Sequence, residues 1–202
     1  MKKTLYLMRH GQTQFNVLRK IQGWIDSPLT EEGMNQAKRV REYFEENNIT
    51  FDQAYCSTAE RASDTLEIVT NYQMPYTRLK GLKEKGFGRY EGESEDLHPN
   101  FDIFHTYYEQ FGGETTQQAT KRVSETVHEI MQKDGHENVL IVSHGGASAM
   151  FLASVLHLQP EDFSAYKKQY QDAFSNCGMI RYSYEDGVFV PEEVIAPNLQ
   201  LV

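Results

Sequence analysis

The chain has 202 residues, 39% of them hydrophobic and 12% aromatic, with a formal net charge of -9. That length fits one domain with a substantial core, and the acidic balance argues against nucleic acid or an anionic membrane as the main partner. Two cysteines, Cys56 and Cys177, are too few for a disulfide framework, so a reduced, cytoplasmic protein is expected.

Lys2 and Lys3 precede no apolar run of signal-peptide length, and no later run is long enough to span a bilayer. The first predicted strand covers 3–9 and stops at Arg9-His10-Gly11. From Thr30 to about Asn47, Met34, Ala37, Val40 and Phe44 recur at helical spacing. Thr30 is the expected N-cap, and Glu31 and Glu32 suit the positive end of the helix dipole. Asn48-Ile49-Thr50 fits the glycosylation acceptor pattern but is read as coincidence in a chain without a secretion signal.

A short strand is expected over 51–56, ending at Cys56-Ser57. Ser57-Thr58-Ala59-Glu60 reads as a capping box that opens a helix to about Tyr72, with Arg61 in its first turn. The segment 83–113 is too long for an ordinary loop and is expected to form a small irregular or helical lid that carries function. Thr115-Thr116-Gln117-Gln118 reads as another capping box, opening a helix to about Lys133, before Asp134-Gly135. The run NVLIVS, 138–143, has the unbroken apolarity of a strand buried on both faces, and ends in Ser143-His144-Gly145-Gly146. An apolar helix follows to about Leu156, and 176–196 reads as a hairpin around Glu185-Asp186-Gly187. Alternating strands and helices imply a single α/β domain over 1–202 with a mainly parallel sheet.

In open α/β sheets ligands sit beyond the carboxyl ends of the strands. Three predicted strands end there with Arg9, His10, Arg61 and His144. Arginine's planar donor fork matches phosphate oxygens, and helix N-termini add free N–H groups. An acidic chain can therefore own a small cationic pocket, and the glycines after each histidine let backbone approach a ligand closely.

Six blocks in order carry a resemblance. They are Arg9-His10-Gly11 with Thr13 and Asn16; Gln22-Gly23-Trp24 with Pro28 to Gly33; Cys56-Ser57 with Arg61, Ala62 and Thr65; Leu82-Lys83-Glu84 with Gly88 and Tyr90 to Gly92; Gly112 to Thr115; and Val142 to Gly146. Together they resemble the histidine phosphatase superfamily, the phosphoglycerate mutase-like family. The resemblance implies a three-layer α/β/α sandwich and a small-molecule phosphomonoester substrate. It implies that His10 is the nucleophile, forming a phosphohistidine. Arg9, Arg61, Asn16 and His144 would bind the phosphoryl oxygens, with Gln22 and the Gly145 N–H as secondary contacts. Glu84 would be the general acid and base. No metal or other cofactor is implied, and the chain would act as a monomer or homodimer.

Plainer readings stand beside these. Histidines at strand ends are often structural, Arg61 could be a solvated helix residue, and Lys83-Glu84-Lys85 is also what an exposed loop looks like. His98, His105, His128, His136 and His157 show no metal-ligand spacing, and Thr13 and Ser143 read as structural. Three functions remain: a phosphatase of broad specificity, a cofactor-dependent phosphoglycerate mutase, and a non-catalytic phosphate-binding module. Between Glu91 and Thr120 there is no Lys or Arg but seven acids. The same segment carries Phe101, Phe104, Tyr107, Tyr108 and Phe111, a helical aromatic stripe that either packs on the core or lines the pocket. That balance suits an uncharged leaving group better than a second anion, and favours the phosphatase.

Overall fold

The computed structural model describes residues 2–158, 166 and 168–199, leaving aside the side chains of 101 and 102. Its strands are β1 (Lys3–Arg9), β2 (Gln53–Ser57), β3 (Thr77–Leu79), β4 (Asn138–Ser143), β5 (Met179–Glu185) and β6 (Val188–Ile195). They form one sheet in the order β3-β2-β4-β1-β5-β6. The pairs β3–β2, β2–β4 and β4–β1 are parallel, and the hairpin β5–β6 adds antiparallel to β1. The sheet is thus mixed, with a parallel half and an antiparallel edge. The hairpin turns at Asp186 and Gly187, whose φ of 51° and 84° match a type I′ turn.

Helices α1 (Gln14–Val17), α2 (Glu31–Glu46), α3 (Glu60–Val69), α4 (Phe101–Tyr107), α5 (Thr116–Met131) and α6 (Gly145–Val155) complete the described framework. Strand alternation divides the core in two. Leu5, Leu7, Val139 and Ile141 pack with Val123 and Val127 of α5 and Phe151 of α6. Tyr6, Met8, Leu140 and Val142 pack with Ala37 and Val40 of α2 and Leu66 of α3. Every residue of β4 from Val139 to Val142 is therefore covered on its own face, which explains its unbroken apolar sequence. The three layers follow from that alternation.

Thr30 caps α2, accepting from Gly33 N at 2.9 Å, and Thr115 forms the expected capping box with Gln118. Other expectations need correction. Met34 is exposed, and the buried face of α2 is Gly33, Ala37, Val40 and Phe44. Ser57 does not open a capping box: the N-cap of α3 is Ala59, without a side-chain cap bond, and the helix ends at Val69. The Ser57 hydroxyl is instead held by the Ala59 N–H and by His144. The short edge strand β3 has no counterpart in the sequence reading. It is only three residues long, with two of them exposed.

The segment 83–113 combines irregular stretches with short helical turns. It winds through 3₁₀ turns at Gly88–Tyr90, Glu95–Leu97 and Tyr108–Phe111 around α4. Its aromatic stripe is divided. Tyr108 is fully buried against Phe87, Tyr90 and Tyr107, whereas Phe87 and Phe104 face a cavity. The side chain of Phe101 lies outside the described residues. The acids of this segment are largely committed: Glu91 accepts from the N–H groups of Trp24, Ile25 and Phe87, Glu114 pairs with Arg122, and Asp96 pairs with Arg19.

The loop after β1 is clamped by the first turn of α2. A Cβ on Gly33 would lie 2.0 Å from the Gln12 carbonyl oxygen, and one on Gly11 would lie 2.6 Å from the Gly33 carbonyl oxygen. Alanine in a helix interior is worth about 1 kcal/mol over glycine. Here Gly33→Ala should nevertheless destabilise the fold by about 1–3 kcal/mol, the usual cost of overpacking. Urea unfolding measures this directly, and a gain in stability would show that the loop and helix do not make this contact.

Candidate active site

The register places the site. Arg9 pairs with Ser143 across β1 and β4, and Cys56 pairs with Val142 across β2 and β4. One residue further on, His10 and His144 leave adjacent strands side by side, with ring centroids 5.3 Å apart. His10 N also donates to Ser143 O at 3.1 Å, extending the ladder to His10. The three strands that the sequence marks are thus neighbours in the parallel half of the sheet.

Arg61 ties the pieces together. It is 1% exposed, and all five of its N–H donors meet protein acceptors. Nε donates to His10 Nε2 at 3.2 Å. Nη1 donates to Ile25 O at 2.9 Å and to Asp26 Oδ1 at 2.8 Å. Nη2 donates to Gly23 O at 2.9 Å and meets His144 Nδ1 at 3.0 Å. Arg61 is therefore not a solvated helix residue.

These bonds fix both imidazoles. His10 Nδ1 lies 2.7 Å from the Gly11 carbonyl oxygen, so that nitrogen carries the proton and Nε2 keeps its lone pair. His144 Nδ1 accepts from Arg61, so its proton sits on Nε2, which donates to Ser57 Oγ at 2.7 Å. Burial, with the nearby Arg61 and Arg9 charges, holds the pKa of His10 well below the ordinary histidine value. Burial and Arg61 do the same to His144. Both rings are neutral at physiological pH.

Glu84 faces these groups. Its Oε2 accepts from Gly146 N at 2.8 Å and its Oε1 from Lys85 N at 2.9 Å. A Cβ on Gly146 would lie 2.5 Å from Glu84 Oε1, so a larger residue there would push the carboxylate from this position. The loop behind Glu84 is held by Arg122, which donates to the carbonyls of Gly81, Lys83 and Glu84. Arg9 donates to Phe174 O at 2.7 Å, while its buried Nε has no hydrogen-bond partner. Gln22 Oε1 is likewise buried without a partner. Asn16 Oδ1 accepts from Thr13 N and Asn176 Nδ2, leaving its amide N–H groups as the donors.

Arg9, His10, Asn16, Gln22, Arg61, Glu84 and Gly145 all line one cavity of about 1270 Å³. His144 is fully buried behind them. Thr13 is the N-cap of α1, and Ser143 Oγ donates to Leu82 O, so both are structural. His128 and His136 pack against Ser124 and Tyr55, whereas His98, His105 and His157 line the cavity. Among the described residues no cluster of three or more His, Cys, Asp and Glu is placed to hold a metal ion.

The sequence reading missed Asp26, Asn176, Arg122 and Lys85. Asp26 pairs with Arg61 and also accepts from Glu60 N, supplying from afar the cap that α3 lacks locally. It is the acid in Trp24-Ile25-Asp26-Ser27-Pro28, and a buried arginine's need for a carboxylate could have pointed to it. Asn176 donates to His10 O and Asn16 Oδ1 from a distant loop, and nothing local in the sequence signals that contact.

Because both histidines are neutral when folded and take up protons when unfolded, stability should be flat with respect to them above about pH 6.5 and fall as pH drops below it, down to their depressed folded values. NMR should show the His10 ring, identified by its loss in His10→Ala, not titrating between pH 8 and 6.5. A midpoint at or above 6.5 for that ring would contradict the lock described above.

A profile described as histidine phosphatase superfamily (branch 1) matches residues 5–195. The chain is 31% identical to the broad-specificity phosphatase YOR283W of Saccharomyces cerevisiae over 176 residues, 81% of this chain and 73% of that one. A 2,3-bisphosphoglycerate-dependent phosphoglycerate mutase of Buchnera aphidicola is 38% identical, but over only 99 residues, 47% of this chain and 43% of that one. The solved structure of Bacillus stearothermophilus YhfR superposes with a TM-score of 0.82 at 30% identity, covering 94% of this chain and 95% of that one.

Proposed function

The chain belongs to the histidine phosphatase superfamily, and from that membership we propose that it is a phosphomonoester hydrolase of broad specificity working through a phosphohistidine. The observation that carries the reading is the tautomer of His10. Its proton is held on Nδ1 by Gly11 O, which leaves Nε2 unprotonated, its lone pair facing Arg61 Nε until that donor turns to a phosphoryl group.

In the first step His10 Nε2 attacks phosphorus and the ester P–O bond breaks. Glu84 gives its proton to the leaving oxygen. In the second step Glu84 takes a proton from water, the hydroxide attacks phosphorus, and the P–N bond breaks to release phosphate. Arg9, Asn16, Gln22 and the Gly145 N–H bind the phosphoryl oxygens. Arg61 joins them by turning its Nε and Nη2 donors from the two imidazoles to the phosphoryl group, and His144 contributes beside it. Positioning and charge stabilisation supply most of the rate in phosphoryl transfer. No step requires a metal. Buried free thiols at Cys56 and Cys177 suit a reducing, cytoplasmic setting.

A mutase must hand the phosphoryl group to a second hydroxyl of a retained intermediate. The lack of Lys and Arg between Glu91 and Thr120 speaks against that. A non-catalytic module has no use for nucleophile, arginines and acid all in place.

Rapid quench with a labelled phosphomonoester should trap an acid-labile phosphohistidine, and His10→Ala should lower turnover more than about a thousandfold without unfolding the chain. Near-normal rates in that variant would overturn the mechanism. Phosphate release should persist in EDTA; loss restored by magnesium or zinc would reveal a metal requirement. With 3-phosphoglycerate and 2,3-bisphosphoglycerate supplied, a coupled assay should find less 2-phosphoglycerate formed than phosphate released. The reverse ratio would make the chain a mutase.

A further inference from the structure

Lys85 follows Glu84 in sequence and lines the same cavity, yet it is 2% exposed. Its Nζ donates to Phe104 O at 3.0 Å and Thr116 Oγ1 at 3.1 Å, both neutral acceptors. The rings of Phe104 and Tyr108 lie 4.4 and 5.3 Å from it. It forms no ion pair among the described residues, unlike buried Arg61 with Asp26. An ammonium has three donors, and two are used among the described residues. A buried cation whose hydrogen-bond partners are neutral, with carboxylates acting only from a distance, gains from an anion that reaches it directly.

Position says which part of a substrate lies there. The Glu84 carboxyl serves the leaving oxygen in the reading above, so the leaving group extends along the wall that Lys85 shares. We propose that Lys85 is a specificity-determining residue whose remaining N–H receives an acidic group on the leaving group, so that the preferred substrates are phosphomonoesters bearing a second anionic group. This inference rests on the phosphatase reading. It also revises the sequence argument: the cationic group comes from outside the segment 91–120, which by itself carries none.

The test compares 3- and 4-carboxyphenyl phosphate with the matching carboxamides, which keep shape and leaving group but drop the charge. At pH 7 the carboxylates should be favoured about tenfold or more in kcat/KM, chiefly through KM. Lys85→Met should bring the ratio to about one while changing the carboxamides less than about threefold, and Lys85→Arg should restore the preference. Burial lowers the Lys85 pKa to about 8, against the opposing influence of Glu114 and Glu84. His98 and His105 also line this part of the cavity, and Tyr108 packs beside the amine. The wild-type ratio should therefore fall between pH 7 and 9, which decides the matter if Lys85→Met does not fold. A wild-type ratio of one, a pH-independent ratio, or equal loss on both substrates in Lys85→Met would overturn the proposal and leave Lys85 as a strut for α4. If no ester, 4-nitrophenyl phosphate included, is hydrolysed, the phosphatase reading fails by itself. Calorimetric binding of the same pairs to the His10→Ala variant then decides the role of Lys85, with equal affinities counting against it.

Discussion

A guanidinium buried at 1% exposure is the constraint around which this structure is arranged. Arg61 can lose its water only if all five N–H groups find acceptors and a carboxylate balances its charge. Those acceptors come from three places: the carbonyls of Gly23 and Ile25, the carboxylate of Asp26, and the rings of His10 and His144. Satisfying one side chain therefore assembles the 23–26 loop, the start of α3 and the ends of β1 and β4 into one unit. Removing an uncompensated partner from a buried ion pair costs about 3–5 kcal/mol in well-buried cases. Asp26 is 27% exposed at its side chain, so the lower end of that range, or less, applies here.

The same contacts set the protonation of His10. Arg61 donates to His10 Nε2 and Gly11 O accepts from Nδ1, so the ring cannot hold a second proton without losing a hydrogen bond and facing two arginines. The Arg61–Asp26 pair also divides labour between the arginines. Arg61 has a carboxylate beside it and acts largely by position. Among the described residues Arg9 donates only to the Phe174 carbonyl, with Glu84 the main favourable charge, so more of its positive charge is left unbalanced.

How much of this was legible in the sequence depended on range. Strand β4 and the hairpin could be read because their signals are local: an unbroken apolar run, and an Asp-Gly turn between β-rich segments. Arg9, His10, Arg61 and His144 could be placed together because strand ends in a parallel sheet share an edge, and the register of Arg9 with Ser143 then makes the two histidines neighbours. The α3 cap could not be read. Its local Ser57 is drawn to His144, and Asp26 replaces it from 34 residues away. Met34 fell on the wrong side because the buried face of α2 is displaced toward Gly33, where the loop after β1 crosses. The segment 83–113 was opaque because its order comes from tertiary partners, with Glu91 tying it to the 24–25 backbone and Lys85 and Arg122 bracing its ends.

Two buried polar atoms without protein partners, Arg9 Nε and Gln22 Oε1, belong to residues at one end of the cavity. Folded proteins rarely leave such atoms unmatched, and where they do, the site commonly has a further occupant. An anion meets the need of Arg9 directly. Gln22 presents either end of its amide with little change in shape, so the same anion can be met by its N–H groups after a flip. Gly145 closes the argument, because a Cβ there would crowd Arg9 Cδ at 3.2 Å and its Nε at 3.3 Å. The glycines after His144 therefore let the side chains of Arg9 and Glu84 pack directly on backbone, where a Cβ would displace them.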